Sequence, residues 1–346
     1  MKEYKFQFDV VRDGGLTVAP DGEENIHTDV FVKISQRGIL FVNHIDEELD
    51  KEDEEHKNDI CYINDATTFL LISTINSAHS MCEIISFINY YKNTDCKNKI
   101  VVSEYFVEVL ALLFDLVKLF IDEDKIIILN KKTIYKFNTL ITHRNHHFLR
   151  NLNWNKVEFT KNDNILKIND IQYLTSYFSI NSLFLFDKVK EIYETHKNEF
   201  ELFDNIMLIK TKDNKNVTSC HRGMDVVDEN IHNTLIKNNI KFLTIPYFKN
   251  VRHMICVLYH AKNAIFSYGG PCCTNRFFCN PNSNVIVLAH THYKHEYDFN
   301  NTPEHLPYWH LRSSHLHPVK SLSFLLDFEN NINENNVNDI LQLIKY

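Results

Sequence analysis

KFLTIPYFKNVRHMICVLYHAKNAIFS, residues 241–267, decides how the fold is read. Lys241–Ile245 is a short apolar run, and Pro246 closes it because proline brings no N–H to a strand ladder. Val251, Met254, Ile255 and Leu258 then recur three and four residues apart, the spacing of one helix face. Ala264–Ser267 is a second buried-strand run. Strand, helix and strand in succession form the unit of a parallel sheet covered by helices.

The same alternation extends outward. Met207–Lys210 starts the series as a strand, Val227, Ile231 and Leu235 mark a helix, and Val285–Leu288 reads as a further strand. Val337, Ile340, Leu341 and Ile344 make the tail Asn333–Tyr346 a closing helix. An earlier series runs Phe69–Ser73 (strand), Ala78–Tyr90 (helix), Lys99–Ser103 (strand), a helix from Glu104, and Lys125–Leu129 (strand). Before it, Tyr4–Val11, Asp29–Ile34 and Ile39–Asn43 read as short strands around Gly turns, and Asp46–Glu55 as a solvated acidic loop. A long helical stretch, Gln172 to Glu199, joins the two series. The expected architecture is α/β, with two Rossmann-like halves and a ligand cleft between them. The expected divisions are residues 1–195 with a β-rich start over about 1–60, then 196–325, then the closing helix 326–346.

Composition narrows the class. With 346 residues, 44% hydrophobic, 24% charged and only seven Gly, the chain is neither disordered nor collagen-like. A net charge of −8 offers no overall positive field, so no nucleic-acid partner is expected. The eight Cys have neither zinc-knuckle nor disulfide-framework spacing, which suits a reduced cytosol. MKEYKFQFDVVRDGG lacks the apolar centre of a signal peptide. The longest apolar stretch, Val101 to Ile121, is interrupted by Glu104, Glu108, Asp115 and Lys118. It reads as a buried amphipathic helix carrying Val107, Leu110, Phe114, Val117 and Ile121, not as a membrane span. A soluble, cytoplasmic chain with no transmembrane helix is expected.

Gly269 and Gly270 follow a buried strand, where paired glycines let backbone approach a ligand and N–H groups meet phosphate; an ordinary tight turn uses the same residues. The longer string AKNAIFSYGGPCCTNRFFCNPNSNVIVL, residues 261–288, resembles the signature of glycosyltransferase family 61, which includes extracellular O-linked N-acetylglucosamine transferase and plant xylosyltransferases. That signature has the form G-P-H-G-A-x-L-T-N-L-x-F-x-P-P-G-S-x-V-x-E-L. Gly270, Thr274, Asn275, Phe278, Pro281, Ser283, Val285 and Leu288 match it in register, while its His is Gly269 here and its late Glu is Val287. The segment contacts the sugar nucleotide in that family, so the resemblance implies donor contacts from Tyr268, Gly269, Gly270, Thr274 and Asn275.

Upstream, His79 and Glu83 resemble the family's His and acid four residues apart. On a helix these positions share a face with Ser86 and Tyr90, opposite Met81, Ile85 and Ile88. A carboxylate beside an imidazole raises its basicity, so the pair is a candidate general base, with either member taking the proton; a surface ion pair is the plain alternative. Lys210, Lys212 and Arg222 resemble the basic segment that binds the diphosphate, chemistry suited to a leaving group on which negative charge develops; solvated lysines on a loop are the alternative. The resemblance spans about residues 67–290. It implies a GT-B fold and inverting transfer of a sugar, UDP-linked, to a hydroxyl of a glycan or glycoprotein acceptor. No cofactor or metal is expected to be tightly bound.

Other features carry rival readings. His290, His292, His295, His305, His310, His315 and His317 would suit a metallohydrolase, although no spacing such as HExxH accompanies them. Asp122-Glu123-Asp124 has the DxD spacing of metal-dependent transferases of another fold, and equally that of a solvated helix end. Cys272 and Cys273 read as small buried apolar residues. The departures at Gly269 and Val287 fit a catalytically inactive binding or scaffold protein that kept the fold.

Overall fold

A computed structural model describes residues 5–10, 24–35, 38–46, 60–69, 80–81, 84–85, 87–88, 91–92, 98–143, 159–162, 165–168, 183–209, 229–267, 274–290, 321–328 and 332–344. The chain divides into two compact units, Met1–His147 and Phe148–Tyr346. Each is a mixed α/β unit around one sheet. No helix among the described residues is long and apolar enough to cross a membrane.

In the first unit the strands are β1 (Lys5–Val10), β2 (Glu24–Ser35), β3 (Gly38–Asp46), β4 (Ile60–Ile63), β5 (Thr67–Phe69), β6 (Lys99–Ser103), β7 (Ile126–Leu129) and β8 (Ile134–His143). The sheet order is β1-β3-β2-β8-β5-β6-β7, with β4 also paired to β8. β8, β5, β6 and β7 are mutually parallel, whereas β1, β3 and β2 extend the sheet in antiparallel fashion. β6 and β7 were legible from their apolar runs; of the expected strand Phe69–Ser73, Phe69 ends β5 and residues 70–73 lie outside the described residues. β4 and β8 were not anticipated: β8 alternates apolar and polar residues and is completed by partners some 70–120 positions away, such as Thr67 and Glu24. β4 and β5 lie along one side of β8. Four steps from Ile63 to Thr67 face three from Phe137 to Leu140, so the edge carries one bulged residue. Val32, Ile34, Phe69, Val101, Leu129, Phe137 and Leu140 pack together as a core.

The apolar stretch from Val101 is not one helix. Val101–Ser103 ends β6, Ser103 caps α1 (Glu104–Val109) by accepting from the Phe106 N–H at 3.1 Å, and α2 (Ala111–Lys118) follows. Leu110, at φ −121° and ψ 45°, breaks the helix between them. The break shifts the phase of the apolar stripe. Phe106, Leu113, Leu116, Val117 and Ile121 are buried, while Val107, Leu110 and Phe114 are only partly covered.

The second unit contains β9 (Phe159–Asn162), β10 (Ile165–Ile168), α3 (Leu183–His196), β11 (Asn205–Leu208), α4 (Glu229–Lys237), β12 (Ile240–Leu243), α5 (Val251–His260), β13 (Asn263–Ser267), β14 (Asn284–His290), β15 (Ser321–Phe328) and α6 (Glu334–Ile344). Of the expected stretch Gln172 to Glu199, residues 172–182 lie outside the described residues; the helix itself ends at His196 and a tight turn, Lys197–Glu199, follows. The sheet order is β12-β11-β13-β14-β15-β10-β9. Its first five strands are parallel, and β10 and β9 add an antiparallel margin that the sequence reading lacked.

Alternate residues of the central strands are buried on both faces, as in a sheet covered twice. Met207, Ile265, Ile286 and Leu288 pack with Leu235 of α4 and Val337, Ile340 and Leu343 of α6. Ile206, Leu208, Ala264, Phe266, Val285 and Val287 alternate to the opposite face and are buried as well. α5 starts at Asn250, whose side chain accepts from the His253 N–H at 2.9 Å. It is buried almost all round, because α3 lies on its outer side: Cys256 Sγ reaches the Ile192 carbonyl at 3.9 Å, and the Tyr193 and Tyr259 rings sit 4.8 Å apart. α6 starts with a reciprocal pair in which Asn333 and Asn336 each accept from the other's backbone N–H.

Candidate functional site

The order of the second sheet creates one special position. Counting β11 as the first strand, the parallel order is 2-1-3-4-5. The chain leaves β11 for β12 on one side and then crosses to β13 on the other, so the connections diverge between β11 and β13. A crevice opens at the carboxyl ends of two such strands, and open α/β sheets bind ligands there. Leu208 and Phe266 are register partners at that end, and the Ile209 N–H donates to the Leu243 carbonyl at 2.8 Å, extending the ladder by one residue.

Both donor-binding segments of the sequence reading leave from these two strand ends. Lys210, Lys212 and Arg222 follow β11 but lie outside the described residues, as do Tyr268, Gly269 and Gly270, which follow β13. Cys272 and Cys273 lie outside them too. Thr274 and Asn275 are described: they begin a short helical turn continuing through Arg276–Phe278, and both are buried. The Cys279 N–H closes the turn by donating to the Arg276 carbonyl at 3.1 Å.

Several motif matches have plain structural work. Phe278 is fully buried, and Val285 and Leu288 lie in the core strand β14. The buried Ser283 hydroxyl donates to the Ala261 carbonyl at 2.6 Å, tying the turn to the end of α5. Thr274 differs: its Oγ1 is buried and makes no hydrogen bond. A buried hydroxyl in that state costs about 1–3 kcal/mol, which a ligand atom can offset. Cys279 is no nucleophile, because burial pushes its thiol far above the usual range; Cys256 is likewise pushed up to about 11.

Arg276 is a residue that the sequence reading passed over. It is 2% exposed, and its guanidinium carbon lies 5.7 Å from the centre of the Phe277 ring. The available signal was a charged residue set against Phe277-Phe278-Cys279, where the quoted signature has Leu.

In the first unit, His79, Glu83, Ser86 and Tyr90 lie outside the described residues. Positions 80–81, 84–85, 87–88 and 91–92 are helical, and Met81, Ile85 and Ile88 are buried together with Ser80, Ile84 and Phe87. Asp122-Glu123-Asp124 forms an exposed turn before β7. Lys125 Nζ lies 3.8 Å from Asp122 and Lys118 Nζ 3.6 Å from Glu123, as at a solvated helix end.

Among the described residues no group of three or more His, Cys, Asp or Glu gathers to hold a metal. Three of the described histidines have protein partners that account for them. His27 Nε2 is 3.0 Å from Thr142 Oγ1, His232 packs against Phe242, and His253 stacks on Phe200. His290 ends β14, while His292, His295, His305, His310, His315 and His317 lie outside the described residues. No protein-family model matches this chain, and no curated protein matches it.

Proposed function

We propose that the chain is an inverting glycosyltransferase of GT-B type that moves a sugar from a UDP-linked donor to a hydroxyl of a glycan or protein acceptor. The observation that carries this reading is the strand order of the second sheet. The two segments that resemble donor-binding segments of family 61 are distant in sequence, yet they leave from the adjacent carboxyl ends of β11 and β13. In this reading Lys210, Lys212 and Arg222 meet the diphosphate and stabilise it as it departs. Gly270, Thr274 and Asn275 frame the nucleotide, and His79 with Glu83 removes the acceptor proton.

One observation favours a second reading, a non-catalytic descendant that keeps the fold. Val287 stands where the signature has Glu, and it is fully buried in β14 between two parallel neighbours, leaving no acid at that place to act on a substrate. Calorimetric titration with UDP in the presence of EDTA separates the readings. The transferase should bind UDP in the micromolar range without metal, and a UDP-sugar screen should then find turnover that His79→Ala and Glu83→Ala each abolish. Absence of heat at millimolar UDP would remove the donor site.

A further inference from the structure

We propose that β7, the margin of the first sheet, is a self-association surface on which a second copy of this chain pairs antiparallel about a twofold axis. β7 ends the sheet order, and among the described residues it pairs with β6 alone. A strand paired on one side turns a row of backbone N–H and C=O groups away from its neighbour. The strands that end the two sheet orders differ in composition. β1 (KFQFDV), β9 (FTKN) and β12 (IKFL) each carry a lysine, the residue type that opposes pairing of an edge with another chain. β7 is IIIL, with no polar side chain, and Ile128 is 47% exposed. Isoleucine is a strong strand former, so β7 carries the signal for pairing and, within the strand, no residue that opposes it.

The flanking charges choose the occupant. Asp122-Glu123-Asp124 precede the strand, and Lys131-Lys132 follow it after Asn130. Two copies laid side by side in parallel would set acids against acids. Turned end for end, each acidic turn lies beside the partner's two lysines, so the segment is complementary to its own reverse. With the axis at Ile127, Ile126 of one copy stands opposite the partner's Ile128, an apolar cross-strand pair that occurs twice. The Asp122 and Glu123 side chains are 80% and 78% exposed, and Asp124 and Lys132 are exposed too. Within the chain Lys125 is held by Asp122 at 3.8 Å and Lys131 by Glu108 at 3.2 Å. Among the described residues Asp124 and Lys132 have no ion pair, which makes them the cleaner probes.

The test is sedimentation velocity of the full chain from low micromolar to several hundred micromolar, with thermal melts to check folding. The wild-type chain should pass from monomer to dimer across that range. I128K puts a charge on the strand and should weaken the dimer by about 10-fold or more. D124K and K132E each set like charges together at two symmetric places, and each should weaken it by roughly 3- to 30-fold, the effect of two exposed ion pairs. The double variant D124K/K132E restores opposite charges and should recover most of that loss. This rescue decides the matter if I128K does not fold. A chain that stays monomeric throughout overturns the proposal, and slow amide exchange of β7 in that monomer would assign the edge to another segment of the same chain. A dimer that I128K leaves unchanged also overturns it, because the contact then lies elsewhere. Losses that add in the double variant overturn the antiparallel pairing.

Discussion

The amino end of the second sheet and the turn between β13 and β14 are built in opposite ways. At the amino end, Asn205, Asn263 and Asn284 stand in register on β11, β13 and β14 and form a ladder: Asn263 Nδ2 donates to Asn205 Oδ1 at 2.8 Å, and Asn284 Nδ2 to Asn263 Oδ1 at 3.1 Å. Asn284 also donates to the Leu343 carbonyl, fastening α6. Beside them the Asp204 carbonyl accepts from the Lys262 and Asn263 N–H groups, and its carboxylate meets Lys262 Nζ at 2.8 Å and His260 Nε2 at 3.5 Å. His260 is in turn hydrogen-bonded to the Tyr193 hydroxyl at 2.9 Å. On the turn that begins at Thr274, between β13 and β14, a threonine hydroxyl by contrast lies buried without a hydrogen bond. Polar groups at the amino end are spent on each other and hold the strands in register. The turn keeps one buried hydroxyl, that of Thr274, without a partner.

Polar-to-apolar substitutions should have opposite signs in the two regions. The largest effect is expected from Asn263→Ala, which leaves Asn205 Oδ1 and Asn284 Nδ2 each short of a partner. It should destabilise the chain by about 2–3 kcal/mol, read from urea unfolding; an unchanged midpoint would mean that the ladder is incidental. Thr274→Val removes a hydroxyl that makes no hydrogen bond and keeps the shape, so it should stabilise the unliganded chain by about 1 kcal/mol. A loss of stability there would show that the two regions do not differ in this respect.

The smallest effect is on pH dependence, which should differ between the two ends of α5. Near its start, the Lys249 N–H donates to His253 Nδ1, and burial together with the neighbouring Lys249 charge holds the imidazole below its ordinary value. The unfolded chain therefore takes up this proton first. The contribution is complete above about pH 6.5 and declines as pH falls through the folded value. At the other end, the hydrogen bond from Lys262, followed by the nearby His260, holds the Asp204 carboxyl below its ordinary value. Its contribution is present above about pH 3.9 and is lost in a lower window. Unfolding midpoints between pH 8 and pH 3 should show both steps, with His253→Gln removing the upper and Asp204→Asn the lower. Persistence of the upper step in His253→Gln would assign it to another group.

The legible parts of the fold were those whose signal is local. β6, β13 and β14 are short apolar runs, and α4 and α6 show one apolar stripe. β15, whose sequence SLSFLLDF mixes Ser and Asp among apolar residues, escaped notice because its strand character comes from β14 and β10 on either side. The burial of α5 on nearly every side was equally hidden, since the cover is α3, more than fifty residues earlier in the chain. Within the candidate site, Thr274 and Asn275 were visible as parts of a motif. Arg276 was not, because a lone Arg in sequence reads as surface and only packing shows it buried.

The sequence by itself determined the class of the protein: alternating strands and helices, with enough apolar residues to bury two sheets. These are consequences of side-chain periodicity and backbone sterics, which act over a few residues. Only the tertiary structure decided that β12 and β13 flank β11, that the segments after β11 and β13 therefore start side by side, and that three asparagines close a ladder at the amino end of the sheet while the Thr274 hydroxyl is buried without a hydrogen bond. Strand order and burial are set by which distant surfaces exclude water from each other, and no window of sequence contains both surfaces.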